Sequence, residues 1–74
     1  MKLENFEIHS YTKSELALRY NPMQEISTAT RTLRRWIQTC TPLHEALKDT
    51  GYSGAQKLLT PLQVQLIVKY LGEP

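Results

Sequence analysis

The segment from Ile26 to His44 contains three arginines and no acidic residue, and most of it has a helical pattern of apolar side chains. The apolar positions of this pattern are Ala29, Leu33, Trp36, Ile37 and Cys40. Their spacing predicts one amphipathic helix that packs its apolar face against a core. A chain of 74 residues is too short for a second unit of this kind, so we expect a single domain over residues 1–74.

The opposite face of this predicted helix is cationic and rich in hydroxyl groups. At about 100° per residue, it presents Thr28, Arg31, Thr32, Arg35 and Thr39. Because the Ile26–His44 segment has a charge of +3 and the whole chain only +2, the remaining residues sum to −1. Positive potential is therefore concentrated on this segment. The face predicts contact with nucleic acid, and the alternative is an ordinary solvated helix surface.

A shorter helix is expected before this segment. Thr12 and Glu15 have the spacing of a capping box, in which each residue's side chain bonds the other's backbone N–H. We therefore predict a helix over about residues 13–20 that ends before Pro22, because residues that precede proline avoid the helical conformation. Its predicted inner face consists of Leu16, Ala17 and Tyr20.

The boundaries of the second and third helices follow from capping residues. Ser27 or Thr28 is expected to cap the second helix, which should end near Thr39. Pro42 suits the first turn of a third helix, and Gly51 suits its left-handed end. The predicted inner face of the third helix consists of Leu43, Ala46 and Leu47.

A fourth helix and a strand pair complete the prediction. Thr60 and Gln63 form a second capping signature, and the helix that follows should end at Leu71. Its predicted inward residues are Leu62, Leu66, Ile67, Tyr70 and Leu71. Alternation in Phe6–Ser10 predicts a strand that pairs with Lys57–Leu59. The expected fold is mainly α, a small four-helix, helix-turn-helix-like domain with a short two-stranded β element.

Several function classes are not expected. The chain has no apolar run of signal-peptide or membrane-span length, and its one cysteine cannot form an internal disulfide, which together suit the cytoplasm. Cys40 and His44 have metal-ligand spacing, but Pro42 divides them between two helices, so we expect no metal and no cofactor. No nucleophile stands at a recognisable spacing from a base, so we predict neither an enzyme nor a small-molecule substrate.

Double-stranded DNA is the predicted partner. Arg31 and Arg35 are expected to contact bases or phosphates, because the planar arginine side chain can grip either. Thr28 and Thr32 would supply hydrogen bonds. The remaining predicted contacts, to the DNA backbone, are Lys13, Arg34 and Lys57.

A protein-interaction or homodimerisation module is the alternative to DNA binding. The fourth helix is the candidate interface, because Val64 and Val68 widen its apolar face beyond what one small core needs. In that case the arginines would only keep the surface solvated or would meet an acidic partner.

Several short motifs, read in order, resemble a known family. They are Tyr11–Ala17 (YTKSELA), Arg35-Trp36-Ile37, Gly51-Tyr52, Thr60–Val64 (TPLQV) and Leu71–Pro74 (LGEP). Over Phe6–Pro74 the chain resembles the small proteins, common in Bacteroides and its relatives, that are grouped as domain of unknown function 4248. The resemblance implies a bacterial origin and no established activity.

Two of the motifs are also similar to those of another family. Glu15-Leu16-Ala17 followed by Leu33–Trp36 (LRRW) is similar to the MerR and excisionase type of winged helix-turn-helix protein. In those proteins a short Gly-Val-Ser turn separates the two motifs, whereas this chain has the longer Asn21–Ser27 connection. The similarity implies that the second helix faces DNA, provided that this connection keeps the groove-reading geometry.

Overall fold

The structure, a computed structural model, describes residues 6–74; residues 1–5 of the predicted domain lie outside the described part. Four helices and two short strands follow one another in it. They are β1 (Tyr11–Thr12), α1 (Lys13–Tyr20), α2 (Ile26–Thr39), α3 (Thr41–Lys48), β2 (Leu58–Leu59) and α4 (Pro61–Leu71). The predicted mainly α fold with four helices and a two-stranded sheet is confirmed.

The two capping boxes define the starts of α1 and α4 as predicted. The Thr12 hydroxyl accepts from the Glu15 N–H at 3.0 Å, and the Glu15 carboxylate accepts from the Thr12 N–H at 2.9 Å. The pair Thr60 and Gln63 repeats this arrangement. Each box satisfies backbone N–H groups that a helix start otherwise leaves unpaired.

Helix α2 begins earlier than predicted. Its N-cap is Glu25, so neither Ser27 nor Thr28 caps it. The Ala29 N–H donates to the Glu25 carbonyl at 2.8 Å, which closes the first helical ring there. A negative side chain at this end is favourable because the helix N-terminus carries partial positive charge. As a result, the connection between α1 and α2 is shorter than predicted and consists of residues 21–25.

The sheet forms with a different partner strand from the one predicted. Tyr11 pairs with Leu59 and Thr12 with Leu58 in an antiparallel register, whereas Phe6–Ser10 forms no strand. The preceding segment instead folds over Tyr11: the Phe6 ring stacks on the Tyr11 ring at 5.4 Å, and the Tyr11 hydroxyl donates to the Glu7 carbonyl at 2.9 Å. These contacts draw the segment out of an extended path.

One apolar core joins all four helices and both strands. Its buried members are Tyr11, Leu16, Ala17, Ala29, Leu33, Ile37, Leu43, Leu47, Leu59, Val64 and Ile67. Trp36 and Cys40 pack against its edge, half-buried. Helix α2 therefore directs the predicted apolar stripe inward, and its other face remains at the surface.

Helix α4 faces the core only partly as predicted. Ile67 is buried and Leu66 and Leu71 pack against the core, as expected, but the helix is rotated enough to change the placement of other residues. Leu62 is 55% exposed and Tyr70 is 40% exposed, although both were expected to face inward. Gln63 and Val64 are buried instead, at 2% and 0% exposure. The prediction that Val64 widens a surface patch is therefore wrong. The polar contacts of Gln63 explain the rotation, because they draw this side chain beneath the loop that precedes β2.

The C-terminal end of α4 is held by Tyr20. The Tyr20 hydroxyl donates to the Gly72 carbonyl at 2.6 Å, and its ring meets the edge of the Trp36 ring at a centroid distance of 5.9 Å. Gly72 has a φ of 88°, a left-handed value that residues with a Cβ rarely adopt. Tyr20 thus links α1, α2 and the end of the chain.

Ionisation of the Tyr20 hydroxyl is expected to lower the free energy of unfolding at high pH. Burial, and secondly the charge of Glu73, raises the pKa of the Tyr20 hydroxyl to about 12. In the unfolded chain the tyrosine pKa is about 10, so the folded state holds this proton more tightly. The resulting contribution to the free energy of unfolding is complete below pH 10 and is lost as the pH rises through the folded pKa. Since the ring is only half-buried, the loss should be about 1 kcal/mol.

The Tyr20→Phe variant isolates this effect. In urea unfolding, the stability advantage of the unsubstituted protein over the variant should shrink between about pH 9 and about pH 12. The opposite finding, an advantage that stays constant or grows over this interval, would rule out the proposed titration.

No helix within residues 6–74 has the length and hydrophobicity that crossing a membrane would require.

Candidate nucleic-acid interface

The outer face of α2 carries the arginines predicted to contact DNA. Arg31 and Arg35 are one helical turn apart, and both side chains are exposed. They lie opposite the buried stripe of Ala29, Leu33 and Ile37, so the core fixes the direction in which they project. Helix α2 itself contains no carboxylate, although Glu25 precedes it.

The threonines of α2 are partly committed to the helix. The Thr32 hydroxyl donates to the Thr28 carbonyl at 2.9 Å and lies 3.3 Å from the Gln24 side-chain oxygen. The hydroxyls of Thr30 and Thr39 also donate to carbonyls one turn back. A hydroxyl that donates inward still has lone pairs, so Thr32 can accept a hydrogen bond from an outside group.

Arg34 lies at the edge of this face, where it meets other parts of the chain. Its Nη2 atom is 3.4 Å from the Gly54 carbonyl oxygen. With Arg31 it lines a cavity of about 790 Å³ that also contacts the start of α1 at Ser14. It also lines a second cavity of about 490 Å³ together with Lys57. The side chains of Arg31, Arg34, Arg35 and Lys57, which we call the basic band, are all exposed.

The structure places Lys13 differently from the expectation of a DNA contact. Its side chain is only 8% exposed, and its ammonium donates to the Gly54 carbonyl at 2.7 Å. The ammonium also lies 4.8 Å from the centre of the Tyr52 ring. Burial, and secondly the charge of Arg34, lowers the pKa of Lys13. Lys13 is therefore a structural cation that holds the loop before β2 against α1.

Residues 7–74 match the family model described as Domain of unknown function (DUF4248). The chain belongs to the DUF4248 family. The comparisons with curated proteins and with solved structures each found no match. The description of the DUF4248 family names no activity.

Sequence reasoning missed two features of the candidate site in this DUF4248 chain. One is the burial of Lys13, whose carbonyl partner at Gly54 is 41 positions away. The other is the second cavity, which forms only where the start of α1, the middle of α2 and residues 54–57 meet. No local pattern marks such contacts, since they depend on the tertiary packing of distant segments. Within residues 6–74, no group of three or more His, Cys, Asp or Glu side chains could hold a metal ion.

Proposed function

We propose that this protein binds double-stranded DNA through the exposed face of α2. The observation that supports this is the pair Arg31 and Arg35, fixed one turn apart on the side of α2 that faces away from the core. Two guanidinium groups at that spacing can contact successive phosphates or guanine edges. In this proposal Thr28 and Thr32 add hydrogen bonds, with Thr32 acting as an acceptor.

The relation of α1 to α2 supports the same proposal. The two helices pack against each other and are joined by residues 21–25, a connection close to the turn of about three or four residues in helix-turn-helix motifs. The connection is ordered by two hydrogen bonds, from the Asn21 N–H to the Ala17 carbonyl and from the Gln24 N–H to the Asn21 carbonyl. Helix α2 would then be the recognition helix. We also propose that the protein acts in the bacterial cytoplasm.

The test is titration of labelled mixed-sequence duplex DNA with the protein at several salt concentrations. If each residue of the basic band neutralises one phosphate, the logarithm of the association constant should fall against the logarithm of salt with a slope of about −3 to −4. Binding in the micromolar range at low salt would support the proposal. Absence of binding at low salt, or binding that salt leaves unchanged, would contradict it.

A second candidate function is homodimerisation. Leu58 in β2 and Leu62 in the first turn of α4 are both more than half exposed, at 57% and 55%. Since Val64 is buried, these two leucines are exposed apolar side chains that a second copy could cover. Sedimentation equilibrium should then show a dimer that Leu58→Ser dissociates, whereas a strict monomer would exclude this function.

A further inference from the structure

Two cations of the chain converge on one carbonyl oxygen. The Lys13 ammonium donates to the Gly54 carbonyl at 2.7 Å, and the Arg34 guanidinium approaches the same oxygen at 3.4 Å. The Lys13 ammonium also contacts the Ser53 carbonyl at 3.4 Å and the Tyr52 ring, but these partners are neutral like the Gly54 carbonyl and carry no charge that would offset the two cations. Burial is the main reason why the pKa of Lys13 is lowered, and the charge of Arg34 lowers this pKa further, as the repulsion between the two cations predicts. An anion bound nearby would relieve it.

These cations border the second cavity described above, of about 490 Å³. Lys57 contributes a third positive charge to its wall, and Ser14 and Thr30 contribute hydroxyl groups. None of the described residues that line this cavity carries a carboxylate. Its volume is within the range of about 300–1,000 Å³ that is usual for small-ligand sites. The cavity is therefore electrostatically suited to an anion.

The loop on one side of the cavity is held in place before any ligand binds. The Gln56 side-chain amide donates to the Leu58 carbonyl and to the Gln63 side-chain oxygen, both at 2.6 Å. The Gln56 side-chain oxygen accepts from the Ser53 N–H at 3.3 Å. The Lys13 N–H donates to the Lys57 carbonyl at 2.8 Å. A site that is already ordered loses less conformational freedom when a ligand binds.

We propose that this cavity binds a phosphate group. Arg34 uses one guanidinium nitrogen on Gly54, so its other N–H groups can donate to phosphate oxygens. Lys57 would supply a second charged donor, and the Ser14 hydroxyl a neutral one. Thr30 only shapes the wall, since its hydroxyl donates to the Ile26 carbonyl. The phosphate could belong to a DNA backbone or to a free phosphate compound, so the site does not depend on the proposed function.

Inorganic phosphate is the probe that tests this site. In amide-resolved NMR spectra, phosphate should shift the signals of Ser14, Gly54 and Lys57 and reach saturation, whereas chloride of equal ionic strength should not. Arg34→Gln and Lys57→Gln should each weaken binding by at least about tenfold, since each removes a charge-assisted hydrogen bond. Lys48→Gln removes the same charge from α3 and should leave binding unchanged.

Two results would overturn the proposal: shifts that never saturate, or equal weakening by the Lys48 control. The DNA titration then separates the two sources of phosphate. A salt slope that falls in magnitude by about one in Arg34→Gln assigns the site to the DNA backbone. Saturable phosphate binding in a protein that does not bind DNA assigns it to a free phosphate compound. Failure of the proposed DNA function would thus leave the phosphate result standing.

Discussion

Replacing Gln63 with alanine is expected to lower the free energy of unfolding by about 3 kcal/mol. Gln63 is 2% exposed, and its side-chain oxygen accepts from the Thr60 N–H at 3.0 Å and from the Gln56 amide at 2.6 Å. Its side-chain nitrogen donates to the Thr50 hydroxyl at 3.0 Å. The substitution removes half of a capping box and leaves several polar groups without their partner, so its effect exceeds that of one hydrogen bond.

Urea unfolding of the purified variant measures this loss. Gln65→Ala is the matched control, because Gln65 lies on the exposed side of the same helix and should change stability by less than about 0.5 kcal/mol. A loss of this size removes much of the few kcal/mol expected for so small a domain. Equal stability of the two variants would show that the Gln63 contacts do not hold α4 in its observed orientation.

The helix positions could be predicted from the sequence because their signals are local. Thr12 with Glu15, and Thr60 with Gln63, each lie within one helical turn, so residue type and spacing identify the helix start. The inner stripe of α2 was predictable for a similar reason, since the 3.6-residue period alone gives the buried side. The start of α2 was not predicted correctly, because its N-cap residue is Glu25, which makes no side-chain cap hydrogen bond and so gives no capping signal in the sequence.

Contacts between distant segments account for the other differences between the predicted and the observed fold. Whether Phe6–Ser10 or Tyr11–Thr12 pairs with β2 depends on how aromatic rings stack around Tyr11, which the alternation of polar and apolar residues does not encode. The orientation of α4 depends on Gln63, a residue that its chemistry alone would place at the surface. Hydrophobicity therefore predicted the core contacts of Leu66, Ile67 and Leu71 correctly. It was wrong for Leu62 and Tyr70, and the buried polar contacts of Gln63 account for that difference.

In the candidate site, too, some residue positions could be predicted from local sequence patterns and others depend on tertiary packing. The exposure of Arg31 and Arg35 follows from the helical period, so sequence reasoning could place them on one face. The position of Lys13 beneath the loop, and the cavity between Arg34 and Lys57, need the tertiary structure. Sequence patterns thus predicted the charge of this surface, while packing determined which of its cations remain available to a ligand.

Replacing both Arg31 and Arg35 with alanine is expected to weaken DNA binding by at least about tenfold, since a good contact of either kind contributes roughly 1–3 kcal/mol. The salt slope should also lose about 1.8 if both arginines contact phosphates. Both side chains are exposed, so the fold should remain intact and the loss should arise from the surface.

The most direct test of DNA recognition by α2 compares this variant with a control of equal net charge. Lys48→Ala with Lys69→Ala removes two exposed positive charges from α3 and α4, neither of which belongs to the basic band. Fluorescence anisotropy of a labelled duplex, with both variants at one salt concentration, gives the two dissociation constants. The proposed function predicts near-native affinity for the lysine variant and at least about tenfold weaker binding for the arginine variant. Equal affinities of the two variants would show that the outer face of α2 is not where DNA binds.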